Sequence, residues 1–366
     1  MFKSKAYPTN YIQAQGVLRE TGGWIKKFGC SPLIIAGPTA WSKAGSQIEK
    51  SLQLSSLELQ LEFFQGHCSD EEVDRLLSKV PASIDVVVGV GGGQCLDASK
   101  MVANRLNLPV MTVATLASTC AASSPVSAVY TPEHVFVRVE HYDRCPVAAL
   151  VDPDIIRDAP TRYLTAGIGD TLAKWYEAFP INEGIFQDAK TKAGLKIAEL
   201  ARDLLIEYSV QAIKDCQSGI TSQALCQVID TNILLGGLVG GIGSDTCRSS
   251  GAHSIHYGMT CIPEMHEVYH GELVAFGILC QLHLEEKPND EITKLMEFFR
   301  KIHLPISLFD LNLKQIREQD LRAAAKKACD PNRLIHLLPF PINENKVYES
   351  IVKTHELGEL VNKRNG

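Results

Sequence analysis

Short apolar runs alternate with amphipathic stretches through the first 160 residues of the chain. Each apolar run is rich in β-branched residues, and each is followed by a segment with helical periodicity. The predicted strands are 31–37, 59–64, 84–90 and 110–113, and the predicted helices are 42–54, 69–79 and 96–106. Strands that alternate with helices build a parallel sheet, so this part of the chain is predicted to be an α/β unit.

Helical periodicity replaces the strand pattern after Asp152-Pro153. Long helices are predicted at 161–179, 188–213, 221–238 and 270–285. We therefore expect an α/β domain at residues 1–160 and an all-helical domain at residues 161–366, with a ligand cleft between them. The length of 366 residues agrees with two domains, because a domain typically has about 150 residues.

The composition is that of an ordinary soluble protein. Hydrophobic residues make up 45% and charged residues 21%, which argues against a disordered chain. The net charge of −6 provides no global positive field for nucleic acid or an anionic membrane. The eleven dispersed cysteines form no C-x-x-C pair and indicate reduced thiols. The chain starts without the apolar core of a secretory signal, and no apolar run approaches ~18 residues, so we expect a cytoplasmic protein.

A triple glycine follows the valine-rich strand in the segment GVGGGQCLDASK at 89–100. Backbone N–H groups without side chains, at the positive end of a helix, can approach a phosphate closely. The spacing is not G-x-G-x-x-G, so the motif alone fits two interpretations, a loop that binds a pyrophosphate and a merely tight turn. Asp97, predicted in the first helical turn, either complements the helix dipole or orients the loop or cofactor. The small, hydroxylated run at 114–124 suits a loop against a ligand, or an ordinary surface loop.

An acid and a group of histidines are the candidates for metal chemistry. Asp170 is expected at the opening of an apolar helix, where it is either an N-cap or a functional group, and Lys174 on the same face could form an ion pair with it. His253 is expected near the end of one helix, and His270 opens another. Two imidazoles and one carboxylate from separate helices suit a divalent metal, although each histidine could instead be a hydrogen-bonded core residue. Two further histidines, expected to support the ligands or to lie on the surface, are His256 and His266.

Five motifs in order carry a resemblance to a known family. They are GVGGGQCLDASK, ATLASTCAASS, LVDPDIIRDAP, AGIGDTLAKWYEA, and GAHSIHYGMT continuing through YHGELVAFGIL. From about residue 30 to residue 285 the chain resembles the iron- or zinc-containing alcohol dehydrogenases, in their glycerol dehydrogenase-like branch. The resemblance implies a Rossmann-like dinucleotide domain, a helical metal-binding domain of the dehydroquinate synthase-like fold, and nicotinamide-dependent hydride transfer in a homo-oligomer.

The resemblance also implies which residues hold the metal and the dinucleotide. The implied metal ligands are Asp170, His253 and His270, with zinc expected first and nickel, iron or manganese as alternatives. The implied dinucleotide contacts are Gly92, Gly93, Gln94, Thr115, Ser118, Ser124, Val126 and Tyr130. At Gly37, NAD-preferring relatives place an acid that repels a 2′-phosphate. The glycine, with Ser42 and Lys43 nearby, predicts NADP(H) in preference to NAD(H).

Two departures from the branch affect the predicted substrate. Cys120 stands where glycerol dehydrogenases carry an acid near the polyol, and Lys174 stands where four-ligand relatives have a histidine. Losing an anion and gaining a cation both favour an acidic substrate. We therefore predict metal-assisted reduction of a 2-oxo acid such as 2-oxoglutarate or 2-oxobutyrate. Lys174 is predicted to pair with the substrate carboxylate, and His256 or water to deliver the proton. The alternatives are an NAD-dependent glycerol or polyol dehydrogenase and a non-catalytic dinucleotide-binding protein.

Overall fold

The computed structural model describes residues 8–133, 135–185, 187–247 and 249–364. Within them the strands are β1 Tyr11–Gln13, β2 Pro32–Ala36, β3 Gln60–Phe63, β4 Val86–Gly91, β5 Val110–Ala114, β6 Val126–Tyr130, β7 Phe136–His141 and β8 Ala148–Val151. The α-helices are α1 Thr21–Ile25, α2 Pro38–Leu54, α3 Asp70–Leu77, α4 Gly93–Arg105, α5 Pro153–Arg157, α6 Thr161–Asn182, α7 Ala189–Gln217, α8 Gln223–Asp230, α9 Gly236–Gly243, α10 Gly251–Met259, α11 His270–Leu284, α12 Asn289–Lys301, α13 Glu318–Ala328 and α14 Glu344–Arg364.

Six strands form one parallel sheet in the order β1-β8-β5-β4-β2-β3, and β6 pairs with β7 in a separate antiparallel hairpin. Strands β2, β4, β5 and β8 are buried at every position, which explains their nearly continuous apolar sequences. Because all strands of the sheet are parallel, the turns that follow β2, β4 and β5 lie along the same edge. The α/β class with a helical C-terminal part is confirmed; the domain boundary at residues 160 and 161 remains a prediction.

Several element boundaries differ from the sequence expectation. Helix α4 begins at Gly93 instead of residue 96, so two glycines of the turn belong to its first turn or its N-cap. Asp97 is therefore beyond the first turn, and a dipole role does not apply to it. Asp170 lies in the middle of α6, so the N-cap interpretation is wrong. His253 is the third residue of α10 and lies at the beginning of a helix, opposite to the expectation.

The short strands at both ends of the α/β part were not predicted. Strand β1 has three half-buried residues, and β8 has only four residues before Asp152. Both form through pairing with distant strands, β1 with β8 and β8 with β5, which local periodicity does not reveal.

An apolar cluster joins the sheet side of the molecule to the helical side. It contains Leu96 and Ala114 from the α/β part together with Ile168 and Leu172 of α6. Helices α8 and α9 continue into each other through a π-helical turn, Thr231–Leu235. This combined stretch, Gln223–Gly243, is long and apolar enough to cross a membrane by length and composition alone, but 61% of its most apolar window is buried inside the protein. It packs against α7 as part of the helical core.

Candidate metal and dinucleotide site

Three side chains from three helices converge at one point. One ligand atom from each of Asp170, His253 and His270 lies within 4.8 Å of the other two. The Nε2 atoms of His253 and His270 lie 3.2 Å and 3.6 Å from the Oδ1 atom of Asp170. One carboxylate oxygen and two imidazole nitrogens facing one point are a donor set that fits a divalent metal with open coordination positions.

Two glycines allow the helices that carry the ligands to touch through their backbones. A Cβ atom at Gly271 would lie 1.7 Å from the carbonyl oxygen of Ala166, and a Cβ atom at Gly169 would lie 2.3 Å from the carbonyl oxygen of Gly271. Any side chain at either position would push α6 and α11 apart. The glycines beside Asp170 and His270 therefore bring the two ligands within reach of one ion.

Glu177 holds His253 in place from behind. Its Oε2 atom accepts a hydrogen bond from Nδ1 of His253 at 2.6 Å, and its Oε1 atom accepts from the backbone N–H groups of Ser250 and His253 at 2.7 and 2.9 Å. Glu177 is completely buried. A carboxylate that fixes the proton on Nδ1 leaves Nε2 as the ligand atom, a recurrent support for metal-binding histidines. Sequence reasoning did not assign this role, although Asp170, Lys174 and Glu177 have the i, i+4, i+7 spacing of one helical face.

His270 is supported by a second histidine. The Nδ1 atom of His270 lies 3.2 Å from Nε2 of His256. When Nε2 of His270 faces a metal, its Nδ1 carries the proton and donates to His256. The start of α11 is held by Glu272, which accepts from the backbone N–H of Tyr269 at 2.9 Å and from Nε of Arg162 at 2.5 Å. The predicted role of His256 as a proton donor to substrate remains untested, and the structure gives it a contact that orients His270.

Lys174 lies inside the site and not on the surface. Its Nζ atom is 3.4 Å from Oδ1 of Asp170, so the intrahelical ion pair expected from the sequence is present. Burial opposes the charged ammonium, but Asp170, and less strongly Cys120 and Glu177, raise the pKa of Lys174 above its ordinary value. Burial likewise opposes ionisation of the Asp170 carboxyl, yet Lys174 and the two histidines hold its pKa well below the usual range. Both groups therefore remain charged near neutral pH.

The triple glycine forms a turn between β4 and α4. Gly91 ends the strand, Gly92 is the N-cap, and Gly93 is the first helical residue. A Cβ atom at Gly92 would lie 2.8 Å from Leu116, so the following loop packs directly over the turn. Gly37 lies beside this turn, where its backbone N–H donates to the carbonyl oxygen of Val90 at 3.1 Å. The glycines implied as dinucleotide contacts thus lie on one edge of the sheet.

Two side chains of α4 orient the surroundings of the glycine turn. The Oε1 atom of Gln94 lies 3.0 Å from Nδ1 of His67 and accepts from the backbone N–H of Cys68 at 3.3 Å. Asp97 pairs with Nζ of Lys100 at 2.8 Å and accepts from the backbone N–H of Ala128 at 3.0 Å. These contacts support the interpretation that Asp97 orients the adjacent chain.

Lys100 was overlooked at the level of sequence. Only 2% of it is exposed, and its ammonium donates to the carbonyl oxygens of Ala121 and Ser124 at 2.9 and 3.1 Å, as well as to that of Val126. It therefore fixes the end of the loop that follows β5. No local pattern distinguishes such a lysine from the solvent-exposed lysines of other helices.

The loop after β5 is fastened to the helical part through the π-helical turn. Asn232 donates from Nδ2 to the carbonyl oxygen of Ala117 at 3.0 Å, and Ser123 donates from Oγ to the carbonyl oxygen of Ile233 at 2.6 Å. A Cβ atom at Gly167 would lie 2.0 Å from the Ala117 oxygen, so α6 also touches the loop. The loop carries the predicted contact residues Thr115, Ser118, Cys120 and Ser124, with Thr115 buried and Ser118 and Cys120 half-buried.

Aromatic rings connect the hairpin to the helix that carries two histidines. Tyr130 of β6 meets Phe136 of β7 edge to face with ring centres 5.9 Å apart, and Phe136 meets Tyr257 of α10 at 6.1 Å. Val126 opens β6 and is half-buried. The hairpin therefore contacts α10, the helix that carries His253 and His256, and the dinucleotide contact of Tyr130 remains a prediction.

The chain is similar to known dehydrogenases over nearly its whole length. Residues 8–153 match the sequence profile of the family described as iron-containing alcohol dehydrogenase. Glycerol dehydrogenase of Thermotoga maritima is 33% identical over 98% of this chain and 99% of its own length. Hydroxycarboxylate dehydrogenase A of Escherichia coli strain K12 is 37% identical over 79% of this chain and 80% of its own length. The crystal structure of glycerol dehydrogenase from Schizosaccharomyces pombe has a TM-score of 0.92, with 29% identity over 100% of this chain and 95% of that chain.

The chain belongs to the iron-containing alcohol dehydrogenase family. It is therefore an NAD(P)-dependent enzyme acting on CH–OH groups, and the predicted resemblance is confirmed. The non-catalytic alternative is not favoured. Glycerol dehydrogenase is the recurrent name among the relatives, so the names favour the polyol alternative over the 2-oxo acid prediction.

Proposed function

We propose that the protein interconverts a small polyol, with glycerol as the first candidate, and the corresponding carbonyl compound. The observation that carries the chemistry is the convergence of Asp170, His253 and His270 within 4.8 Å. The names of the relatives support the substrate class. A bound divalent ion, zinc first with iron, nickel or manganese as alternatives, would supply Lewis acidity to the substrate oxygen. Glu177 and His256 keep the two imidazoles in the tautomers and orientations that ligation needs.

Reduction of a 2-oxo acid is the second candidate, favoured by the charge of the cleft. Cys120 removes a carboxylate from the loop, and Lys174 adds an ammonium 3.4 Å from Asp170. With a divalent ion, the charges of Asp170, Glu177 and Lys174 would sum to a net positive value. Such a cleft attracts a substrate carboxylate more than an uncharged polyol.

Turnover of both substrate classes by the same metal-loaded enzyme tests the proposal. We expect kcat/KM for glycerol oxidation to exceed that for 2-oxoglutarate and 2-oxobutyrate reduction, and the reverse order would replace the first candidate by the second. Lys174→Met should impair 2-oxo acids far more than glycerol, with metal content measured for each variant. An equal loss on both substrates, at full metal content, would contradict a role of Lys174 in substrate choice. His270→Ala should abolish metal binding and turnover together.

We also propose NADP(H) in preference to NAD(H), in a cytoplasmic homo-oligomer. A Cβ atom at Gly37 would meet only the Cβ atom of Ala40, at 3.9 Å, so the end of β2 offers open space for a 2′-phosphate. Ser42 and Lys43 are exposed on the first turns of α2 beside this space. Kinetic constants measured with both dinucleotides test the preference, and an NAD(H) preference in the unmodified enzyme would refute it.

A further inference from the structure

The ammonium of Lys100 is fully occupied by one short segment of the chain. An ammonium has three N–H donors. In this buried side chain they go to the carbonyl oxygens of Ala121, Ser124 and Val126, the last two on either side of a proline. Lys100 therefore has no donor left for a ligand, and any part that it takes in binding must act through the segment that it holds.

Asp97, three residues earlier on α4, extends the same arrangement into β6. Its carboxylate lies 2.8 Å from Nζ of Lys100 and accepts from the backbone N–H of Ala128 at 3.0 Å, while its carbonyl oxygen accepts from Oγ of Ser127 at 2.9 Å. Both charged side chains are buried. Replacing a buried ion pair by apolar residues of similar size is often neutral or even stabilising. Such residues could not hold the backbone groups of segment 121–128 against α4, as this pair does.

The segment that the pair holds carries predicted dinucleotide contacts. Ser124 and Val126 are two of them, and Lys100 binds the carbonyl oxygen of each. The loop to which Ser124 belongs starts at the glycine turn, because the backbone N–H of Thr115 donates to the carbonyl oxygen of Gly91 at 3.1 Å. Helix α4 therefore follows the glycine turn directly and, about two turns later, carries the lysine that fixes the far end of this loop.

We propose that Lys100 is a positioning residue for the dinucleotide: together with Asp97, it holds Ser124 and Val126 at a fixed distance from the glycine turn, where both can contact the bound dinucleotide. This inference rests on the proposed dehydrogenase function, because it uses the predicted dinucleotide contacts. Displacing a binding group by about 1 Å can cost about 100-fold. Loss of the ammonium should therefore weaken dinucleotide binding. It should not weaken metal binding, because the predicted metal ligands lie on α6, α10 and α11.

Direct binding of reduced dinucleotides tests the inference without turnover. NADPH and NADH are each titrated into the wild type and the variants, and nicotinamide fluorescence gives the dissociation constants. Lys100→Met keeps a flexible, unbranched side chain and removes the three donors, so we expect its dissociation constant to rise at least about tenfold. Asp97→Asn keeps the shape of the side chain and removes its charge. It should cause a smaller rise in the same direction, and it decides the test if Lys100→Met does not fold. The zinc affinity of both variants, measured by chelator competition, should equal that of the wild type.

A matched control separates positioning from a general loss of stability. Val102→Ala removes buried apolar volume from the same helix, two residues after Lys100, and the valine side chain has no polar atom to bind the loop. This variant should lower the melting temperature and leave the dissociation constants unchanged. Unchanged dissociation constants in Lys100→Met and Asp97→Asn would overturn the inference alone. So would an equal rise in Val102→Ala at an equal loss of melting temperature. A wild type that binds neither dinucleotide would overturn the proposed function as well.

Discussion

The support of His253 by Glu177 leads to a sharp prediction for metal affinity. Glu177→Gln keeps an oxygen that can accept from the backbone N–H groups of Ser250 and His253. It replaces the oxygen 2.6 Å from Nδ1 of His253 by an amide nitrogen that can only donate. The His253 ring must then move its proton to Nε2, which faces Asp170, or rotate away.

The expected loss of metal affinity is about 10- to 100-fold, the range found when such supporting contacts are removed. This corresponds to about 1.4 to 2.7 kcal/mol of binding free energy. Competition with a chromophoric chelator at fixed pH measures the zinc affinity of the wild type and of Glu177→Gln. Glu183→Gln, at the exposed end of the same helix, is the matched control. An affinity for Glu177→Gln equal to that of the control would refute the argument that the buried carboxylate orients the ligand.

Three further predictions follow from other contacts. Gly169→Ala places a methyl group 2.3 Å from the carbonyl oxygen of Gly271, an overpacking that costs about 1–3 kcal/mol of stability. The variant should have a lower metal content and a lower melting temperature than the wild type. Gly23→Ala is the control, because a methyl group at Gly23 meets no other atom within 4 Å. Burial, together with the nearby charge of Lys353, lowers the pKa of His283 to about 4. Between pH 6.5 and 4 the His283 side chain is therefore protonated in the unfolded chain but not in the folded protein. The free energy of unfolding falls as the pH drops through this range. In melting curves across this range His283→Leu should lose less stability than the wild type, by at most about 3 kcal/mol, and parallel curves would contradict this. Gly37→Asp should lower the ratio of kcat/KM with NADP(H) to kcat/KM with NAD(H) by about tenfold or more. An unchanged ratio would contradict the argument that the open space at Gly37 accommodates a 2′-phosphate.

The sequence predicted the elements whose periodicity is strong over a full turn or more. The valine-rich run at 84–90 could be identified as a strand because its β-branched residues are buried on both faces of the sheet. Helix α11 begins at His270 as expected, since a proline-containing loop precedes it. Strands β1 and β8 escaped detection because pairing with distant segments stabilises them, and sequence periodicity reports only local preference.

The candidate ligands could be predicted from the clustered histidines and the family motifs, but their supporting contacts could not. Asp170 was expected at the opening of an apolar helix. In the structure the two glycines before it lie inside α6, where they let the helix pass close to α11 and to the loop after β5. Glu177 can orient His253 only because α10 packs against α6, and the sequence of α6 alone does not indicate that contact.

The fastening of the loop after β5 to the π-helical turn makes the loop depend on the helical part of the protein. Buried hydrogen bonds from Asn232 and Ser123, together with the backbone contact at Gly167, hold the loop against the π-helical turn and against α6. Because these bonds are buried, breaking one of them leaves a polar group without a partner. The loop conformation is therefore a property of the assembled molecule, and an isolated α/β fragment would not preserve it.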